Sequence, residues 1–112
     1  MIDNFKIGRI IVRGIEYTSD VILFTDRVEG NWRRKEGHSL CIEDIESVME
    51  EKPDVVIVGT GVDGLMQVPQ QTRDFVAGIG AKLIVERTNK ACETYNQVYR
   101  NSKVVAALHL TC

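Results

Sequence analysis

The apolar run Val55-Val56-Ile57-Val58 leads directly into Gly59-Thr60-Gly61-Val62-Asp63-Gly64. This is the pattern of a buried strand that empties into a glycine-rich loop, and it commits the chain to an α/β fold in which such loops tend to hold ligands. Glycine tolerates positive φ and lets an anion reach backbone N–H groups with no Cβ in the way, and a helix starting just beyond would add its positive end. The next apolar run, Leu83-Ile84-Val85, closes on Glu86, where a dinucleotide fold places the carboxylate that grips a ribose.

Two features turn this reading away from a nicotinamide cofactor. Leu65-Met66-Gln67-Val68 separates the glycines from Pro69, the expected first helical residue, so a pyrophosphate on the loop would not meet the helix end. The strand is not the first of the chain, and only about two βα units follow it, too few for the two-half platform of a dinucleotide site. No cofactor is expected. The loop then has two readings: glycines that serve backbone conformation and packing, or a small-ligand or anion site built on Gly59, Thr60, Gly61 and Gly64.

Composition narrows the class further. A chain of 112 residues, 44% hydrophobic and 27% charged, fits one globular domain over residues 1–112, of a size that buries roughly 65% of its unfolded surface. A net charge of -2 gives no general attraction to nucleic acid or anionic membrane. The longest apolar runs fall short of the roughly 20 residues that a bilayer demands. Met1-Ile2-Asp3-Asn4-Phe5-Lys6 lacks the charged and apolar regions of a secretion signal, so a cytoplasmic protein is expected. Cys41, Cys92 and Cys112 are scattered and odd in number, which favours reduced thiols over a disulfide frame.

Hydrophobic periodicity changes along the chain. Ile10-Ile11-Val12 and Ile15-Glu16-Tyr17 flank Arg13-Gly14 as a hairpin, and Val21-Ile22-Leu23-Phe24 forms a compact strand. Ile42, Ile45, Val48 and Met49 then recur at helical spacing, with Glu43, Asp44, Glu46, Glu50 and Glu51 opposite, so the helix Ile42 to Glu51 is amphipathic and its acids form a solvated face. Strand Asp54 to Val58, helix Pro69 to Ile79, strand Lys82 to Glu86, helix Asn89 to Asn101 capped by Thr88, and strand Val104 to Leu110 complete a βαβαβ run. The expected architecture is a three-layer single domain, with a mixed central sheet covered by helices and an N-terminal β-hairpin element.

Trp32, Arg33, Gly37 and His38; Val58-Gly59-Thr60-Gly61; Val68-Pro69 with Thr72; Thr88, Ala91 and Tyr95-Asn96; and His109-Leu110-Thr111-Cys112 occur in an order and spacing that run through nearly the whole chain. In this the chain resembles the family of small α/β domains that includes the adipogenesis-associated domain protein and the mitochondrial complex I assembly factor 3 type. The resemblance implies a three-layer fold with a mixed sheet and a small hairpin element, no established catalytic activity, and partner-binding roles in regulation and assembly. The chain departs from the family at Cys41, where serine or threonine is expected to cap the first helix. It also shows no mitochondrial presequence, so the complex I role itself is not transferred.

Other segments carry weaker signals. Trp32-Arg33-Arg34-Lys35 joins an aromatic to three cations, but one short basic run in an acidic domain is too little for nucleic acid. The same pairing of tryptophan and arginine suits a protein interface, in a segment where a large aromatic has little periodic core to join. His109 and Cys112, three apart on one strand, would point to opposite faces unless a turn lies between them, so no metal site is expected. Cys112 with His38 would make a nucleophile only if the two were close, and spacing does not establish that. Cys92 reads as a small buried hydrophobe. The expectation is therefore a non-enzymatic binding or assembly module whose surface unites Trp32, Arg33, Arg34 and His38 with Gly59, Thr60, Gly61 and Gly64. Its partner is expected to be a protein, a second copy of the chain included; the alternative is a small-ligand or anion-binding protein, an enzyme of unrecognised type included, using the same residues.

Overall fold

The computed structural model describes residues 1–112. Eight strands, three α-helices and one 3-10 turn follow in the order β1 (Ile2–Lys6), β2 (Arg9–Val12), β3 (Ile15–Tyr17), β4 (Val21–Leu23), β5 (Val28–Glu29), the 3-10 turn Ile42–Ile45, α1 (Glu46–Glu50), β6 (Val55–Gly59), α2 (Gln70–Ile79), β7 (Lys82–Glu86), α3 (Thr88–Val98) and β8 (Val104–Leu108). The central sheet has five strands in the order β5-β4-β8-β6-β7; β8, β6 and β7 run parallel, and β4 is antiparallel to both β5 and β8. A separate antiparallel sheet, β1-β2-β3, lies outside it.

The core divides as the pleat dictates, because successive residues of a strand face opposite sides. Ile22, Val56, Val58, Val105 and Ala107 point to one side, against Ile45, Val48 and Met49 of the first helical segment and Val76 of α2. Leu23, Ile57, Val104, Ala106 and Leu108 point to the other, against Ala91, Cys92 and Tyr95 of α3 and Ile2, Ile10 and Val12 of the small sheet. The result is the expected three-layer mixed α/β architecture. No helix is long and apolar enough to cross a membrane.

Several local expectations are corrected. The N-terminal hairpin gains a third strand, because Ile2 and Phe5 of β1 pack in the second core cluster beside Ile10 and Tyr17. The first helix opens as 3-10 before becoming α-helical at Glu46, and Asp44 rather than Cys41 secures its start, with Oδ2 accepting the Cys41 N–H at 2.8 Å. Thr88 is the first residue of α3, not its cap. Strand β8 stops at Leu108, two residues earlier than expected, and that difference reshapes the site.

Candidate functional site

Strands β6, β7 and β8 are parallel, so their carboxyl ends open on the same edge of the sheet, where α/β folds gather ligands. The antiparallel pairing of β4 with β8 sets Val21 opposite Leu108, which brings Asp20 to that edge as well. Four pieces of chain meet there: Asp20, the loop from Gly59, the start of α3 and the segment after Leu108.

The glycine loop is filled by the chain's own backbone. The Gly61 N–H donates to Thr88 Oγ1 at 2.8 Å, and the Thr88 hydroxyl in turn donates to the His109 carbonyl. The N–H groups of Val62 and Leu65 donate to the carbonyls of Thr111 and Cys112, at 2.6 and 3.0 Å, and that of Gly64 to Gly61 at 3.2 Å. Gly61 adopts φ +103, and a Cβ there would stand 2.3 Å from the Cys112 carbonyl carbon, so both conformation and close approach require glycine. Thr60 is buried, with its N–H and hydroxyl both donating to the Glu86 carbonyl, and the Glu86 carboxylate accepts the Thr94 hydroxyl at 2.7 Å. The glutamate that could have gripped a ribose braces α3 instead.

The basic segment divides. Trp32 is half-buried against the first core cluster, its indole N–H donating to the Asp44 carbonyl at 3.2 Å and its ring lying under the Arg34 guanidinium at 4.8 Å. This corrects the expectation that the aromatic has little core to join: the core it meets lies under an irregular segment and therefore leaves no periodic mark. The Arg34 side chain is 6% exposed and pairs with Asp20 Oδ2 at 2.8 Å. Arg33 and His38 are exposed.

Asp20 is the residue that spacing did not reveal. Its Oδ1 accepts the Leu110 N–H at 2.7 Å, and its Oδ2 takes both Arg34 and His109 Nδ1 at 2.8 Å. Burial pushes this carboxyl up, but the Leu110 N–H, the His109 contact and the Arg34 guanidinium outweigh it and hold the group below its ordinary value. Arg34 Nη2 also lies 3.1 Å from His109 Nδ1 and would need that nitrogen as an acceptor, whereas the Asp20 carboxylate at 2.8 Å needs it as a donor; we assign the Nδ1 proton to the shorter contact with Asp20, which leaves Arg34 Nη2 to donate to the Gly37 carbonyl at 3.1 Å. The only sequence signal was a polar residue at one end of each of two wholly apolar strands, and it becomes informative only once those strands are known to pair.

His109 and Cys112 do not share a strand, because β8 has already ended. The chain turns along the glycine loop and brings Cys112 Sγ to 3.5 Å from His38 Nε2, while the His38 and His109 rings meet edge to face at 6.0 Å between centroids. The opposite-face argument is therefore corrected, and the closeness of Cys112 to His38 is present. Cys92, by contrast, is buried among apolar residues, which pushes its thiol up to about 12. None of the three surface hollows includes a residue of Gly59–Gly64 or of Trp32–His38.

This architecture recurs in known proteins. A conserved hypothetical protein, PH1505 from Pyrococcus horikoshii OT3, superposes with a TM-score of 0.88 at 24% identity, covering 100% of this chain and 99% of that one. A structure described as MT938 does so with a TM-score of 0.82 at 30% identity, covering 100% and 98%. A Mth938-like domain from Bordetella pertussis gives 0.67 at 18% identity, covering 98% and 85%. No curated protein matches the sequence. Residues 2–109 match the DUF498/DUF598 family of proteins of unknown function, and the chain belongs to that family.

Proposed function

We propose that the chain is a binding module for a protein partner, and that its recognition surface is the sheet end where the Trp32–His38 segment meets the glycine loop. The observation that carries this is the seam between the basic segment and the stretch that follows the loop: the Gln67 N–H, three residues past Gly64, donates to the His38 carbonyl at 2.8 Å, and the Leu40 N–H to the Gln67 carbonyl at 2.9 Å. Around this seam the exposed residues are Arg33, Lys35, Glu36 and His38 of the basic segment, Asp63 and a 48% exposed Leu65 of the loop, and Arg87 before α3. An exposed apolar side chain with charges of both signs around it, and no hollow beneath, suits the face of another protein better than a small molecule. The glycine-loop N–H groups already engaged by the chain itself weigh against an anion cradle there. The resemblance to regulatory and assembly domains points the same way.

Photo-crosslinking tests the reading. A photoreactive residue in place of Arg33 or Leu65 is expected to yield adducts of one recurring mass in the native cell, whereas one in place of the exposed Glu93 on α3 yields none. Equal adducts from all three positions, or none from any, would overturn the assignment of the surface.

A further inference from the structure

We propose that His38, His109 and Cys112 form a binding site for a divalent zinc ion. The ligand atoms of the three side chains all lie within 4.8 Å of one another, in a group that no sequence motif announces. Two imidazoles and a thiolate are the donors that borderline-soft zinc prefers, and they offer little to magnesium or calcium. With zinc to sulfur near 2.3 Å and zinc to nitrogen near 2.0–2.1 Å, a tetrahedral site spaces its ligand atoms by roughly 3.3–3.7 Å. The 3.5 Å between Cys112 Sγ and His38 Nε2 already meets that spacing.

A second observation is independent of the clustering. The His109 side chain is 8% exposed, and its Nε2 is buried without a hydrogen-bond partner. A buried nitrogen left unpaired is costly, and each one in a native structure calls for a reason such as an absent ion. The Cδ2 carbon bonded to Nε2 lies on the side of the ring toward Gly61 and the Cys112 backbone: a Cβ on Gly61 would stand 2.9 Å from it and 2.3 Å from the Cys112 carbonyl carbon. Because Nδ1 donates to Asp20, the Nε2 lone pair is the one available to a metal. A carboxylate holding the far nitrogen in this way fixes the orientation of a metal-binding imidazole. Arg34 steadies this arrangement twice, pairing with Asp20 and donating from Nε and Nη2 to the Gly37 carbonyl, next to His38.

His38 is exposed and Cys112 half-exposed, so these two can close on a cation while His109 stays anchored. On binding, the Cys112 thiol releases its proton to solvent and sulfur becomes a thiolate ligand. Three protein ligands leave a fourth position for water or for a donor group from a partner. The metal site stands independently of the partner-binding reading.

Zinc titration of the full, reduced chain against a chromophoric chelator tests it. One equivalent is expected to bind, and H38A and C112S are each expected to weaken binding at least tenfold, since losing even an outer-shell contact costs about 10–100-fold. Both positions lie toward the surface, and circular dichroism of the metal-free variants verifies that they fold. Cobalt(II) in place of zinc is expected to show a near-ultraviolet thiolate charge-transfer band in the wild type that is lost in C112S. Absence of stoichiometric binding, affinity unchanged in either variant, or a cobalt complex without the thiolate band would overturn the site.

Discussion

Two neighbouring residues, Trp32 and Arg33, show how much chemistry one step along an irregular segment can separate. Trp32 packs on the core, donates to the Asp44 carbonyl and stacks with Arg34, whereas Arg33 is exposed. Truncating Trp32 to alanine is expected to cost about 2 kcal/mol, less than the roughly 3–5 kcal/mol of a fully buried tryptophan because the indole is only half covered. Arg33→Ala should stay within about 0.5 kcal/mol, as surface substitutions do. Thermal unfolding of the two single variants checks the contrast. Equal stabilities would show that the indole contributes no packing. Arg33, with no part in the fold, is then the residue at which a loss of partner can be read without a loss of structure.

At the scale of the element, the glycine loop is a joint between β6, α3 and the segment that follows β8. Gly61 and Gly64 both have positive φ, at +103 and +69, but their surroundings differ. A Cβ at Gly61 meets the backbone of Cys112, which is pinned by its own hydrogen bond, whereas one at Gly64 meets the flexible Arg87 side chain at 3.2 Å. Gly61→Ala is therefore expected to lose about 3 kcal/mol, from backbone strain plus overpacking. Gly64→Ala should lose only about 1–2 kcal/mol, the cost of a left-handed alanine. Denaturant unfolding measures both. The larger loss at Gly61 should come with exposure of the 109–112 segment to proteolysis, because that segment is what the added methyl displaces.

Across the whole molecule, Asp20 ties distant parts of the chain together. Its carbonyl accepts the Trp32 N–H at 2.9 Å, and its carboxylate holds Arg34, His109 and the Leu110 N–H. The folded protein holds this carboxyl below its unfolded value, so its contribution to stability is complete above the unfolded pKa of about 3.9 and is lost as pH falls through the lower native value. The wild type is thus expected to be more stable than Asp20→Asn at neutral pH, with the gap in melting temperature closing below about pH 4. Melting curves of both proteins across that range provide the measurement. A gap that stays constant into acid would mean that the aspartate acts through shape rather than charge.

Local pattern was enough to determine the layers. The unbroken apolar runs Val55–Val58 and Val104–Leu108 mark strands covered on both faces, and the helical spacing of Ala91, Cys92 and Tyr95 marks a helix covered on one, because each pattern follows from the backbone geometry of its own element. The glycine run likewise marked the carboxyl end of a buried strand. Tertiary structure alone decided what stands at that end. Asp20 and His109 are 89 positions apart, and they meet because β4 pairs antiparallel with β8 in one particular register. His38 and Cys112 meet because β8 ends early and the chain bends into a loop whose N–H groups need partners. A sequence carries the periods of its elements in every short window, whereas the closing of a long loop depends on all the contacts made at once, and no window contains it.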